Sequence, residues 1–158
     1  MLQNIQGDPR WRNDPMGMIE DKLWRFGCLV TSYANIIGIT PKELNQWLRD
    51  NKGYQKLAQG DDCPVNRESM LWHPAIVGKD KYFKSIDHEW DKYNIVEGDN
   101  IRYALKVLHP VYNTGHWINF ITATPSDMGL LYSVFDVDTG VLYIKNVEQI
   151  LKVKQIII

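Results

Sequence analysis

Trp24-Arg25-Phe26-Gly27-Cys28-Leu29-Val30-Thr31-Ser32 sets a cysteine directly after a glycine, at the head of an apolar segment. The segment runs on to Ile37, room for nearly three helical turns. Leu29, Ser32, Tyr33, Ile36 and Ile37 fall near one face at helical spacing. Gly38 supplies a C-terminal stop. The spacing therefore predicts a helix over 28–37 with Cys28 at its N-terminus. Unpaired backbone N–H groups and the helix dipole favour an anion there, so a thiol becomes more easily a thiolate. The plainer alternative is a small buried cysteine packed as a hydrophobe.

Outward from this helix, the N-terminal stretch 1–23 reads as mostly irregular. Gln6-Gly7-Asp8-Pro9-Arg10-Trp11 and Asn13-Asp14-Pro15-Met16-Gly17 carry turn signals. A long irregular lead-in lies against a folded body, held here by Trp11 and Trp24. Downstream, Thr40-Pro41-Lys42-Glu43 predicts a helix start, with an N-cap, a proline at the first position and a glutamate closing a capping box. Leu44, Trp47 and Leu48 share its face, and Asn51-Lys52-Gly53 ends it.

Residues 54–98 are predicted to be irregular with one or two short elements, including a short helix after Pro74. Asp99 to Leu108 is expected to form a helix capped by Asp99, with Ile101, Ala104, Leu105 and Leu108 inward. The last third changes character. Pro110–Tyr112, Trp117–Ala123, Leu130–Asp136 and Val141–Ile144 read as strands, with turns at 124–129 and 138–140. For the C-terminus two readings stand: a helix capped by Asn146, or a strand through Ile156-Ile157-Ile158. Helices first and an antiparallel sheet later give an α+β pattern in a single domain spanning 1–158.

The 158 residues are 44% hydrophobic and 23% charged, which suits one globular domain with a real core. With 18 basic and 19 acidic residues mixed along the chain, no basic stripe suggests a nucleic-acid partner. No apolar run approaches the ~20 residues of a membrane span. The N-terminus lacks a charged region followed by an apolar one, so no signal peptide is expected. Synthesis in the cytoplasm follows, with release by a non-classical route or incorporation into a virion as the alternatives. Cys28 and Cys63 form no disulfide framework, and Cys63 sits in the loop Gly60-Asp61-Asp62-Cys63-Pro64. The six tryptophans can pack a core or line a groove. Core packing is the plainer role for Trp11, Trp72 and Trp117.

A cysteine nucleophile needs a base, a group to orient that base, and donors for an oxyanion. His73 and His109 each precede a proline, and His88 sits among charges. His116 follows Asn113-Thr114-Gly115 and opens the most apolar strand, so the sheet fixes it at a strand start. A surface hairpin histidine is the plain alternative. If 117–123 and 130–136 pair as a hairpin, Asp136 comes to lie near His116. Asp138, two residues on with the same side-chain parity, is the second choice, and both can simply cap the turn before Gly140. Asn119 is a weaker candidate. Cys63, His73 and His88 lack CxxC or HxxxH spacing, so no metal is expected. No phosphate-binding glycine loop or GxSxG elbow is present, and no cofactor is expected.

These motifs resemble a known family. Gln6-x-Asp8-Pro9-Arg10-Trp11, Phe26-Gly27-Cys28-x-x-Thr31-Ser32 and Ile39-Thr40-Pro41-x-Glu43-Leu44-Asn45-x-Trp47-Leu48 look like the bacteriocin-processing-type branch of the papain-like cysteine peptidases. Trp72-His73-Pro74-Ala75-Ile76, Asp99-Asn100-Ile101-x-x-Ala104-Leu105, Pro110-Val111 and Gly115-His116-Trp117 continue the resemblance in the same order. It implies a papain-like α+β fold with N-terminal helices packed on a C-terminal sheet. It also implies Cys28 as nucleophile, His116 as general base and acid, Asp136 as orienter, and Gln6 as oxyanion donor. The chain departs from the family where Asp136-Val137 stands in place of an Asp- or Asn-Pro pair, so Asp138 remains the alternative third member.

The expected function is that of a cysteine peptidase or amide hydrolase acting on a peptide or a peptidoglycan cross-link. The alternatives are a non-catalytic structural or binding module, such as a phage particle component assembled into a larger body, and an acyltransferase using the same residues.

Overall fold

The structure is a computed structural model. It describes residues 1–16, 21–54, 73–75, 84–89, 95, 98, 101–109, 111, 113–127, 129–146 and 150–157. Cys63, Trp72, the helix expected after Pro74 and the cap at Asp99 lie outside the described residues.

The N-terminal segment is a strap. Leu2 N–H donates to Asn35 O, and Asn4 N–H to Asn35 Oδ1. Asn4 Nδ2 reaches Ile39 O, and Gln6 N–H donates to Val137 O at 2.7 Å. Trp11 is buried, and its indole N–H donates to Ile5 O, which folds the strap over itself. A two-residue ladder, β1 (Pro15–Met16) with β2 (Asp21–Lys22), leads into a single helical turn, α1 (Leu23–Phe26). Trp24 remains 44% exposed, so only Trp11 of the two expected tryptophans anchors the lead-in.

Helix α2 (Cys28–Ile37) follows after Gly27. Gly38 caps it in the left-handed region at φ 86°. All ten of its residues are buried, not only the expected apolar face. It is a central helix, covered on every side. Helix α3 (Pro41–Asp50) begins with the expected capping box: Thr40 Oγ1 accepts from Glu43 N–H, and Glu43 Oε2 accepts from Thr40 N–H. Leu44 and Leu48 are fully buried against α2. Each such side chain contributes about 1.5–3 kcal/mol of burial.

The remainder is an antiparallel sheet of β3 (Lys84–Glu89), β4 (Ile101–Leu108), β5 (Gly115–Ser126), β6 (Gly129–Phe135), β7 (Leu142–Asn146) and β8 (Ile150–Ile157). The spatial order is β3-β8-β4-β5-β6-β7. Every neighbour is antiparallel. The architecture is α+β. The segment 101–108 is a strand, not the expected helix, and it lies between β5 and β8. Tyr103, Leu105 and Val107 enter one core cluster while Ala104 enters the other. A central strand is covered on both faces, so its apolar run loses the alternation that marks a half-exposed strand and mimics helical spacing. The C-terminus takes the strand alternative as β8. Of the strand expected at 110–112, Val111 is in a turn and 75% exposed, and Pro110 and Tyr112 lie outside the described residues.

Helix α2 packs on β5. Alternation along β5 sends Trp117 and Asn119 toward the helix, and Ile118 and Phe120 into a second cluster with Tyr103, Leu105, Tyr132 and Val134.

Candidate active site

Four elements bring the expected side chains together. Gly27 places Cys28. A Cβ at Gly27 would collide with the Leu23 carbonyl oxygen, so only glycine lets α1 turn directly into α2. Cys28 is then the first residue of the helix and is a buried free thiol. His116 is the second residue of β5, opposite Val107 of β4. Asp136 directly follows β6. The strap delivers Gln6 through its backbone bond to Val137.

His116 Nε2 and Asp136 Oδ1 are 2.8 Å apart, and both side chains are buried. The ring nitrogen facing a carboxylate carries the hydrogen, which leaves Nδ1 as the other polar atom of the ring. Cys28 interacts with the same imidazole and shares its cavity wall. Burial alone disfavours the imidazolium. The hydrogen bond to the Asp136 carboxylate and the interaction with Cys28 outweigh it and raise the His116 pKa to about 10. Burial also acts first on Asp136, raising its pKa, but the bond to His116 and the backbone N–H groups of Asp138 and Thr139 turn the balance and hold it below the ordinary value. Asp136 Oδ1 accepts from Asp138 N–H at 2.9 Å, so this carboxylate both caps the turn and meets His116.

Gln6 is buried. Its Nε2 donates to Trp24 O at 2.8 Å and to Asp138 Oδ1 at 3.2 Å. Two acceptors on one side fix the amide orientation. Among the described residues, the His116 ring bonds Asp136 and not Asp138. The Asp138 Oδ2 lies 3.3 Å from His109 Nε2. A cavity of about 560 Å³ opens on this constellation. Gln6, Cys28, His116, His109 and Asp138 line it, with Trp24 and Arg25 toward its rim.

Asn119 stands elsewhere. It is fully buried, donates to Ser32 O and accepts from Asn35 Nδ2, joining α2 to β5. His73 packs edge-on against the Trp47 ring, and burial lowers its pKa. Sequence reasoning passed over His109. Its signal was hidden by the helix expected from Asp99 to Leu108. Once β4 pairs with β5, Val107 faces His116, and the next residue of that parity is His109, whose N–H donates to Thr114 O.

No family model and no curated protein matches this chain. Among the described residues, no helix is long and apolar enough to cross a membrane.

Proposed function

We propose that the chain is a papain-like cysteine peptidase or amide hydrolase that attacks a peptide or a peptidoglycan cross-link. The observation that carries this reading is one imidazole, bonded to a buried carboxylate, on the wall of an open cavity that a thiol at a helix N-terminus also lines.

The chemistry follows from the positions. The Cys28 thiolate attacks the substrate carbonyl carbon while His116 holds the proton. An S–C bond forms, the C=O π bond opens, and the oxygen takes the charge. The Cys28 backbone N–H is one donor for this oxyanion, being among the helix-start N–H groups without an intrahelical acceptor. Gln6 Nε2 supplies the second. On collapse the C–N bond breaks, and His116 gives its proton to the leaving amine. Water then adds to the thioester, with His116 taking its proton. The acid leaves and Cys28 is restored. Asp136 keeps the ring oriented throughout.

Iodoacetamide at neutral pH tests the nucleophile. Mass spectrometry of digested protein is expected to show Cys28 alkylated well ahead of Cys63 and of free cysteine. Cys28→Ser removes that label and any peptide-bond cleavage. Equal labelling of Cys28, Cys63 and free cysteine would overturn the reading. An added amine that ends up in the product instead of water indicates the acyltransferase alternative. A fast-labelling Cys28 with no turnover of peptide or peptidoglycan indicates the non-catalytic module.

A further inference from the structure

Asp138 is where the two sides of the cavity meet. Its Oδ1 accepts from Gln6 Nε2 and its Oδ2 from His109 Nε2. His109 Nδ1 accepts the Val111 N–H at 3.1 Å, so the ring hydrogen sits on Nε2 and points at Asp138. The His109 ring stands edge-on to His116, with centroids 5.1 Å apart.

The Gln6 amide nitrogen has two hydrogens. The Trp24 carbonyl takes one at 2.8 Å, and the Asp138 carboxylate takes the other at 3.2 Å. The first acceptor is backbone. The second is a side chain that lines the cavity and is 32% exposed. In this arrangement Gln6 has no hydrogen left over for an oxyanion. A substrate oxyanion can take only the one held by Asp138, and it does so beside a carboxylate of its own sign.

We propose that Asp138 is a placeholder on the oxyanion donor, and that His109 is the residue that draws it aside. At rest, Asp138 keeps Gln6 turned toward the cavity. When charge grows on the substrate oxygen, Gln6 transfers its N–H to that oxygen. Asp138 retains the His109 N–H, so its charge is not stranded. Both residues act through Gln6 and are positioning residues. The inference rests on the cysteine-hydrolase reading above.

Its signature is a pair of effects of opposite sign, which loss of packing would not produce. N-acetylglycinal is the probe. Its aldehyde carbon bonds reversibly to the Cys28 sulfur, and its oxygen becomes the tetrahedral oxyanion. Iodoacetamide forms an S–C bond with loss of iodide and makes no oxyanion. Affinity for the aldehyde, read as protection of Cys28 from iodoacetamide, therefore isolates the oxyanion donor from the reactivity of the thiol. Asp138→Asn is expected to tighten aldehyde binding about tenfold, since it removes a like charge a few ångströms away. His109→Asn keeps an acceptor for Val111 but deletes the donor to Asp138, and weakens binding several-fold. His109→Gln, with an amide nitrogen reaching further, restores it. In the Asp138→Asn background, His109→Asn has no further effect. Gln6→Ala weakens binding by on the order of 10²-fold. The Asp138 and His109 variants alkylate at the wild-type rate, and thermal melts verify that each is folded. Aldehyde binding unchanged or weaker in Asp138→Asn, or unaffected by His109→Asn, overturns the proposal. Failure of the hydrolase reading is a separate result, visible in wild-type protein as a Cys28 that alkylates no faster than free cysteine.

Discussion

His116 owes its charge to its neighbours. Its folded pKa of about 10 lies above the ordinary 6.5, while that of Asp136 lies below the ordinary 3.8. A raised histidine stabilises the fold fully below pH 6.5, and that contribution is lost as pH rises toward 10. A depressed carboxylate stabilises above its unfolded value, and the contribution is lost as pH falls through the folded one. The pair therefore contributes most between about pH 4 and 6.5. Urea midpoints are expected to fall from pH 6.5 to 10, by on the order of a few kcal/mol in unfolding free energy. Asp136→Asn flattens that slope. An equal slope in wild type and Asp136→Asn would show that the pair is not its source. Cys28, His116 and Asp136 were legible as residues because each sits at an element boundary marked in the sequence: a glycine before a helix, a turn before a strand, and a turn after one. The bond between His116 and Asp136 was legible only as a consequence of hairpin register.

The junction of α1 and α2 is the element on which the thiol depends. Gly27 leaves no room for a side chain over the Leu23 carbonyl. Gly27→Ala is expected to cost about 1–3 kcal/mol, since either the helical turn or the start of α2 must shift. Because Cys28 is the next residue, its iodoacetamide rate should fall as well. A Gly27→Ala protein with wild-type stability and labelling would refute the steric argument. At this scale α2 and α3 were readable, since capping boxes, N1 prolines and glycine stops are local chemistry. Strand β4 was not. Ile101, Ala104, Leu105 and Leu108 satisfy a helical period, and only the flanking strands β5 and β8 select the extended form. The same override hid His109, because a helix ending there would not set its ring beside His116.

Across the whole molecule, helix, sheet and strap are joined by one buried polar connection. Asn35 Nδ2 donates to Asn119 Oδ1 and to Asn4 O, Asn35 Oδ1 accepts from Asn4 N–H, and Asn119 Nδ2 donates to Ser32 O. Both side chains are fully buried, so removing one orphans the groups it was bonded to. Asn119→Ala is expected to destabilise by about 1–3 kcal/mol for each group left unpaired. Because the strap carries Gln6, the variant should also weaken aldehyde binding at Cys28 while sparing alkylation. Urea unfolding and the protection assay measure the two effects independently. A variant as stable as wild type would show that the connection is not a support.

The sequence by itself determined helices α2 and α3, their caps, the antiparallel hairpins of the last third and the order in which thiol, imidazole and carboxylate occur. Those features depend on neighbours within a few positions, where spacing, turn chemistry and capping act directly. Only the tertiary structure decided that 101–108 is a strand, that α2 is buried all round, that Asp138 meets Gln6 and His109 rather than His116, and that Asn119 ties sheet to helix. These depend on contacts between residues far apart in the chain, 132 positions for Gln6 and Asp138. No local period encodes such a pairing. It arises when burying two apolar faces brings strap, helix and sheet end to the same cavity.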